Sequence, residues 1–188
     1  MKNIRIIGVH HRYQMSIADV EDAIADFKPD IVAVELPEDD YLKFLEVHFY
    51  LETEMKIAMI TGCESGAMVF LIDMKKEDVL RNLKEILGIE DRKLWDEFEK
   101  GDIPAFYRRL LEISPSHLKK AKEVLLKYRE AVMAANILIL AEKYPGSRIL
   151  AVVGYSHRKV VEKLVKAKEF SIKTEPFFLD CEEILAYN

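Results

Sequence analysis

The chain is short of cysteine, glutamine and tryptophan, lacks an excess of basic residues, and has no long uncharged run. Only Cys63 and Cys181 are present. They form neither a Cys-x-x-Cys metal signature nor a disulfide framework, so two reduced thiols in a cytoplasmic protein are expected. Lys and Arg number 28 against 33 Asp and Glu, a net charge of -5. That excludes nucleic acid as the main partner, because phosphate contacts need a basic surface. It leaves room for a local anion site. The longest uncharged stretch, Ala131 to Ala141, is too short to span a bilayer, which takes about 20 apolar residues. No secretory signal is visible, since the apolar run Ile4 to Val9 meets a histidine pair at once. Gln14 is the one glutamine, and Lys and Glu dominate the polar residues, which leans toward a thermophile. The seven methionines lean the other way.

What the chain does contain is a soluble globular composition, 50% apolar and 32% charged over 188 residues, enough for one domain with a full core. Asn3 to Gly8 reads as a strand buried on both faces, as in a parallel sheet. Ser16 can cap a helix from Ile17 to Phe27, where Ile17, Val20, Ile24 and Phe27 recur at helical spacing. Ile31 to Leu36 is a second buried strand, Glu38 to Thr61 is helical, and Ala67 to Ile72 is a third strand closing on Asp73. Helices follow over 76–87, 91–100, 104–113 and 116–144. Arg148 to Val153 is a fourth strand, a helix runs from Arg158 to Ala167, and Ile172 to Leu179 is a last strand placed at an edge by Pro176. Strands alternating with helices predict an α/β fold: one domain, 1–188, with a mainly parallel sheet, flanking helices and a helical insertion at about 75–144 between strands three and four.

Ligands in open α/β sheets bind at the carboxyl ends of the strands. The polar groups expected there are His10 and His11 after strand one, Glu35 on strand two, Asp73 after strand three and His157 after strand four. Gly8-Val9-His10-His11-Arg12 and Gly154-Tyr155-Ser156-His157-Arg158 look alike: apolar strand, Gly, two residues, His, Arg, helix. Gly8 and Gly154 would permit a positive-φ turn or close backbone approach to a ligand. A helix N-terminus just beyond offers N–H groups to an anion, and Arg12 and Arg158 add charge for a carboxylate or phosphate. Imidazole from His11 and His157 with carboxylate from Glu35 is a ligand set for a divalent metal such as Zn, Mn or Co. Each group has a structural alternative. Glu35 or Asp73 would cap a following helix, and either member of the His10-His11 pair could be the active one. His48 and His117 read as structural or exposed. Arg129 and Glu130 read as an ordinary solvated pair, and Trp95, Phe98, Phe106 and Tyr107 as packing within the helical block. The apolar surface of Phe44, Val47, Phe49, Leu51 and Met55 is a candidate homodimer contact.

Five stretches in order resemble the TraB/PrgY family, which is related to Tiki-type proteases and, more distantly, to erythromycin-esterase and ChaN-like proteins. They are Ile7 to His11, Lys28 to Leu36, Glu54-Met55 through Gly66 to Asp73, Tyr128 to Ala134, and Val152 to His157. The resemblance implies a metal-dependent hydrolase fold, with His11 and His157 as metal ligands and Glu35 as ligand or general base. It also implies that Arg129 points into the site, and it makes a peptide substrate plausible. The chain departs from the family where Ile72-Asp73-Met74 replaces Gly-Asp-Arg and where Glu130 stands for the more usual Asp. Membrane-spanning helices common in relatives are missing as well.

Two functions are therefore expected. One is a divalent-metal-dependent hydrolase of peptide or amide bonds, with Glu35, Asp73 and Arg129 in catalytic roles. The other is a non-catalytic regulatory protein holding a peptide, an anion or a haem-like ligand on the same scaffold.

Overall fold

The computed structural model describes residues 3–10, 14–47, 53–168 and 172–186. The chain divides into two compact units, one of residues 1–74 and 130–188 and one of residues 75–129.

The first unit is built on five strands: β1 (Ile4–Val9), β2 (Ile31–Val34), β3 (Met68–Leu71), β4 (Ile149–Gly154) and β5 (Phe177–Leu179), in the spatial order β1-β4-β2-β3-β5. The first four are mutually parallel and β5 joins β3 antiparallel, so the sheet is mixed but mainly parallel. The fold is α/β, as the strand pattern predicts. Strand five is shorter than expected. Pro176 has no N–H to give a ladder, and pairing begins only at Phe177, on the sheet's edge.

Alternation along each strand divides the core in two. Val32, Val34, Val69, Leu71, Leu150 and Val152 face one side, packed with residues of α1 (Gln14–Phe27) and α3 (Thr53–Glu64). Ile31, Ala33, Phe70, Ile72, Ala151 and Val153 face the other, packed with Met133, Ala134 and Ile137 of α8 (Arg129–Lys143) and Val161 and Val165 of α9 (Tyr155–Ala167). The helices that follow β1 and β2 thus lie on one face, and the helix that follows β4 lies on the other. Because β4 sits between β1 and β2, the chain leaves neighbouring strands in opposite directions. A switch of this kind, at the carboxyl end of β4, is where open α/β sheets commonly bind ligands.

The expected helix from Glu38 to Thr61 is observed as α2 (Glu38–Val47) and α3. Met55 is buried at 1% exposure in the core, so it is spent inside the molecule rather than offered to a second copy. The side chains of Phe44, Val47, Phe49 and Leu51 lie outside the described residues. So does His48. Ser16 does not cap α1, because it lies inside the helix. Its hydroxyl donates to the His10 carbonyl at 3.0 Å and accepts the His10 N–H at 2.9 Å. Among the described residues, no helix is long and apolar enough to cross a membrane.

Cys63 and Cys181 are not reduced thiols. They form a disulfide between α3 and α10 (Cys181–Ala186), with Cα atoms 5.3 Å apart. Separation in sequence hid the pair, since β5 delivers Cys181 to the face that α3 covers. With the cysteines 118 positions apart in sequence, loop-closure entropy assigns the bridge about 4–5 kcal/mol. Cys63→Ser or Cys181→Ser should each lower unfolding free energy by that order in urea titrations, and excess reductant should shift the wild-type midpoint but neither variant's.

The second unit contains α4 (Lys76–Leu87), α5 (Arg92–Glu99), α6 (Ile103–Ile113), α7 (Pro115–Lys122) and a π-helical stretch, Glu123–Tyr128. The expected single helix over 116–144 is therefore α7, a π-helical stretch and α8. Trp95, Phe98 and Tyr107 surround Phe106 with ring centroids 6.2, 5.1 and 5.8 Å away, the packing expected of the helical block. Asp91 caps α5 through the Leu94 N–H and pairs with Arg109 at 2.8 Å. The Leu94 N–H first, and Arg109 after it, hold the Asp91 carboxyl below its ordinary value. A depressed carboxylate stabilises the fold above the unfolded pKa, about 3.9, and loses that contribution as pH falls through the lower folded value. Asp91→Asn keeps an acceptor for the cap, so its stability deficit should be present at neutral pH and shrink below about pH 4 in acid titrations.

Candidate functional site

Three buried polar side chains meet at the carboxyl end of β4. Glu35, Glu130 and His157 are 8%, 6% and 7% exposed. Strand periodicity delivers the first. Glu35 follows Ile31 and Ala33 in step, so it projects toward the face that α8 and α9 cover. Helical periodicity delivers the other two. Glu130, Ala134 and Ile137 share one buried stripe of α8 at i, i+4 and i+7, and His157, Val161 and Val165 share one of α9.

The contacts are specific. The Gly154 N–H donates to Glu35 Oε2 at 2.6 Å. Glu130 Oε1 lies 3.1 Å from His157 Nδ1. Glu35 Oε1 lies 3.7 Å from His157 Nε2, beyond hydrogen-bond reach. The imidazole thus stands between two carboxylates, one bonded to it and one held at a short remove. Sequence reasoning set the Arg129-Glu130 pair on a solvated surface. The structure buries Glu130 in the site instead.

The anion at the start of α9 is the protein's own. Gly154 is the N-cap residue of α9, and its N–H is occupied by the Glu35 carboxylate. The positive end of the α9 dipole favours a carboxylate in that position. The Glu35 carboxylate is thereby engaged at the end of β4. It bridges β2 to the strand beside it.

The twin turns are not equivalent. Gly8 pairs in register with Val153, and Gly154 with Val9, so the two glycines are offset by one residue. β4 runs straight into α9, whereas β1 ends at Val9 and α1 starts at Gln14. Neither glycine makes a positive-φ turn. Gly154 has φ -58°, and the positive-φ glycines are Gly66, Gly88, Gly101 and Gly146. Gly8 is required for close approach, but to protein rather than ligand. A Cβ there would lie 3.1 Å from the Tyr155 Cα and 3.0 Å from the Arg158 Cδ. Arg158 is exposed, and its aliphatic stem lies over Gly8.

His10 is exposed and stacks on Tyr155, with ring centroids 4.2 Å apart. His11 and Arg12 lie outside the described residues. Asp73 accepts the N–H of Met74 at 2.7 Å. It falls in step with Val69 and Leu71, which face the opposite core from Glu35. The N-cap residue of α4 is Lys75, which makes no side-chain cap bond. Arg129 is the last residue of the second unit, and Glu130 is the first residue to return to the sheet unit. Further along α8, Asn136 Nδ2 donates to the Ile72 carbonyl at 2.9 Å and ties the helix to the end of β3.

Among the described residues, no group of three or more His, Cys, Asp or Glu side chains is arranged to hold a metal ion. Two donors do face each other, His157 Nε2 and Glu35 Oε1. No family model matches the chain, and no curated protein sequence matches it.

Gly8→Ala tests the close approach. The Arg158 side chain can move away from a new methyl, but the Tyr155 backbone can do so only if α9 shifts. The variant should lose about 1–3 kcal/mol of stability in thermal or denaturant unfolding.

Proposed function

We propose that the chain is a divalent-metal-dependent hydrolase of peptide or amide bonds, of the TraB/PrgY type, whose metal is held by His157 Nε2 and Glu35 Oε1. The supporting observation is the 3.7 Å gap between those two atoms. It is too long for a hydrogen bond. Two ligands at ordinary Zn–N and Zn–O distances and a near-tetrahedral angle lie about 3.3–3.5 Å apart, so a small closure of the gap would bring both onto one ion. A neutral imidazole and a carboxylate suit Zn, Mn or Co. His11, two residues beyond the end of β1, is the proposed third ligand.

A divalent cation held by these residues would supply Lewis acidity at the scissile carbonyl. The chain's own residues do the rest. The Gly154 N–H fixes Glu35 by one oxygen, and the other lies 3.7 Å from His157 Nε2. Glu130 holds the far side of the ring. The apolar residues of the strand ends and of α8 and α9 surround the three side chains, which strengthens electrostatic interactions there. The proposed substrate is a peptide or a small molecule with an amide bond.

A non-catalytic ligand-binding role is the second reading. It is favoured by the lack of a three-side-chain metal cluster among the described residues and by Met74 where the family carries arginine.

Metal titration separates the two. Purified chain should bind one equivalent of Co(II) or Zn(II), and His157→Ala, Glu35→Ala and His11→Ala should each lose it. Unchanged metal content in His157→Ala and Glu35→Ala would end the metal reading. Peptidase or esterase turnover that vanishes in Glu35→Gln would count against binding alone.

A further inference from the structure

We infer that the β1 edge of the sheet docks a second copy of this chain, related by a two-fold axis parallel to β1, so that the acidic flank of α1 in each copy meets the basic flank of α9 in the other. That contact is independent of the chemistry at Glu35 and His157.

The two edges of the sheet differ. β5 is three residues long and follows Pro176, a short edge that offers another chain little to pair with. β1 is six residues long, rich in isoleucine and free of proline, and Arg5 is its one charge. Among the described residues, no strand pairs with its outer side. An edge of that length is a template for another chain unless something covers it.

Charge selects the occupant. α1 and α9 flank β1, one on each face of the sheet, and both run from its carboxyl end to its amino end. On α1, Met15, Asp19, Asp22 and Asp26 recur at i, i+4, i+7 and i+11, an exposed stripe on a helix with no basic residue. One flank of α1 packs beside α3. The right-handed winding of the helix and of the β1-α1-β2 crossover puts the stripe on the other flank, beyond β1. On α9, exposed Tyr155, Lys159 and Lys166 recur at i, i+4 and i+11, with Lys163 between them. Arg158, whose stem lies over Gly8, identifies that flank as the β1 side. Glu162 is the one acid of α9, and Lys166 already pairs with it. Among the described residues, Asp19, Asp22, Asp26, Lys159 and Lys163 make no ion pair within the chain.

Rotation about an axis parallel to β1 keeps the helix directions and exchanges the faces. Met15 then stands at the same end of the contact as Tyr155 of the second copy, and the three aspartates stand along its lysines. Symmetry makes the same contact twice. An axis perpendicular to the sheet would instead set α1 beside α1 and α9 beside α9, like charge against like, which disfavours it. Exposed ion pairs are individually weak, so the dimer is expected to be weak and sensitive to salt.

Sedimentation velocity of the full chain over a concentration series, at low and at high salt, is the test. Wild type should dimerise reversibly, with a dissociation constant that rises on the order of tenfold at high salt. Asp19→Lys, Asp22→Lys and Asp26→Lys combined should leave the chain monomeric, as should Lys159→Glu, Lys163→Glu and Lys166→Glu combined. The two variants mixed should form a heterodimer, because each α1–α9 contact again joins opposite charges. A monomeric wild type, a dimer that tightens with salt, a dimer that persists in either variant alone, or a mixture that stays monomeric would each overturn the inference. So would assemblies that keep growing with concentration, the mark of open head-to-tail docking of α9 on α1. Circular dichroism checks that the variants fold. If either does not, Asp19→Asn with Asp26→Asn and Lys159→Gln with Lys166→Gln should each weaken the dimer, and an unchanged dissociation constant in both would decide against it.

Discussion

A carboxylate at the end of a buried strand is costly unless hydrogen bonds replace its water. Glu35 obtains one from the Gly154 N–H, at the point where β4 becomes α9. That bond sets much else. It joins two adjacent parallel strands beyond their last rung, it sits at the positive end of α9, and it leaves the second oxygen aimed at His157. His157 in turn brings in Glu130 from a helix reached only after the whole second unit has been traversed. Three elements far apart in sequence are thereby tied together at the end of β4.

The chemistry of the site follows from the order in which its buried side chains stand. One imidazole stands between two carboxylates with distinct roles, since Glu130 bonds the ring and Glu35 faces it. The offset between Gly8 and Gly154 shows that the two glycines are not equivalent positions of the sheet. On the β1 side, His10 is exposed on a stack with Tyr155, while on the β4 side His157 is buried.

Much of this was legible in the residues. Continuous apolar runs marked the buried strands, and the step from Ala33 to Glu35 put a carboxylate on a particular face. What escaped was long-range. Glu130 reads as a surface residue because it follows Arg129, yet its spacing to Ala134 and Ile137 carried the signal that it faces inward. The disulfide gives no local signal at all, because nothing near Cys63 or Cys181 announces that α10 packs beside α3. With the bridge formed, the cysteine content no longer argues for a reducing compartment. Asp73 ends a strand as Glu35 does, but in step with the residues of the opposite face.

The same bridge has a topological consequence. It closes residues 63 to 181 into a covalent ring that contains β3, the entire second unit, α8, β4 and α9. Peptide-bond cleavage anywhere along that ring, including within the helical unit, opens the circle without dividing the molecule. Two of the three site residues, Glu130 and His157, lie inside the ring, and Glu35 lies on the tail that precedes it. A protease that clips the second unit therefore yields a nicked chain whose site-bearing segments stay on one covalent body.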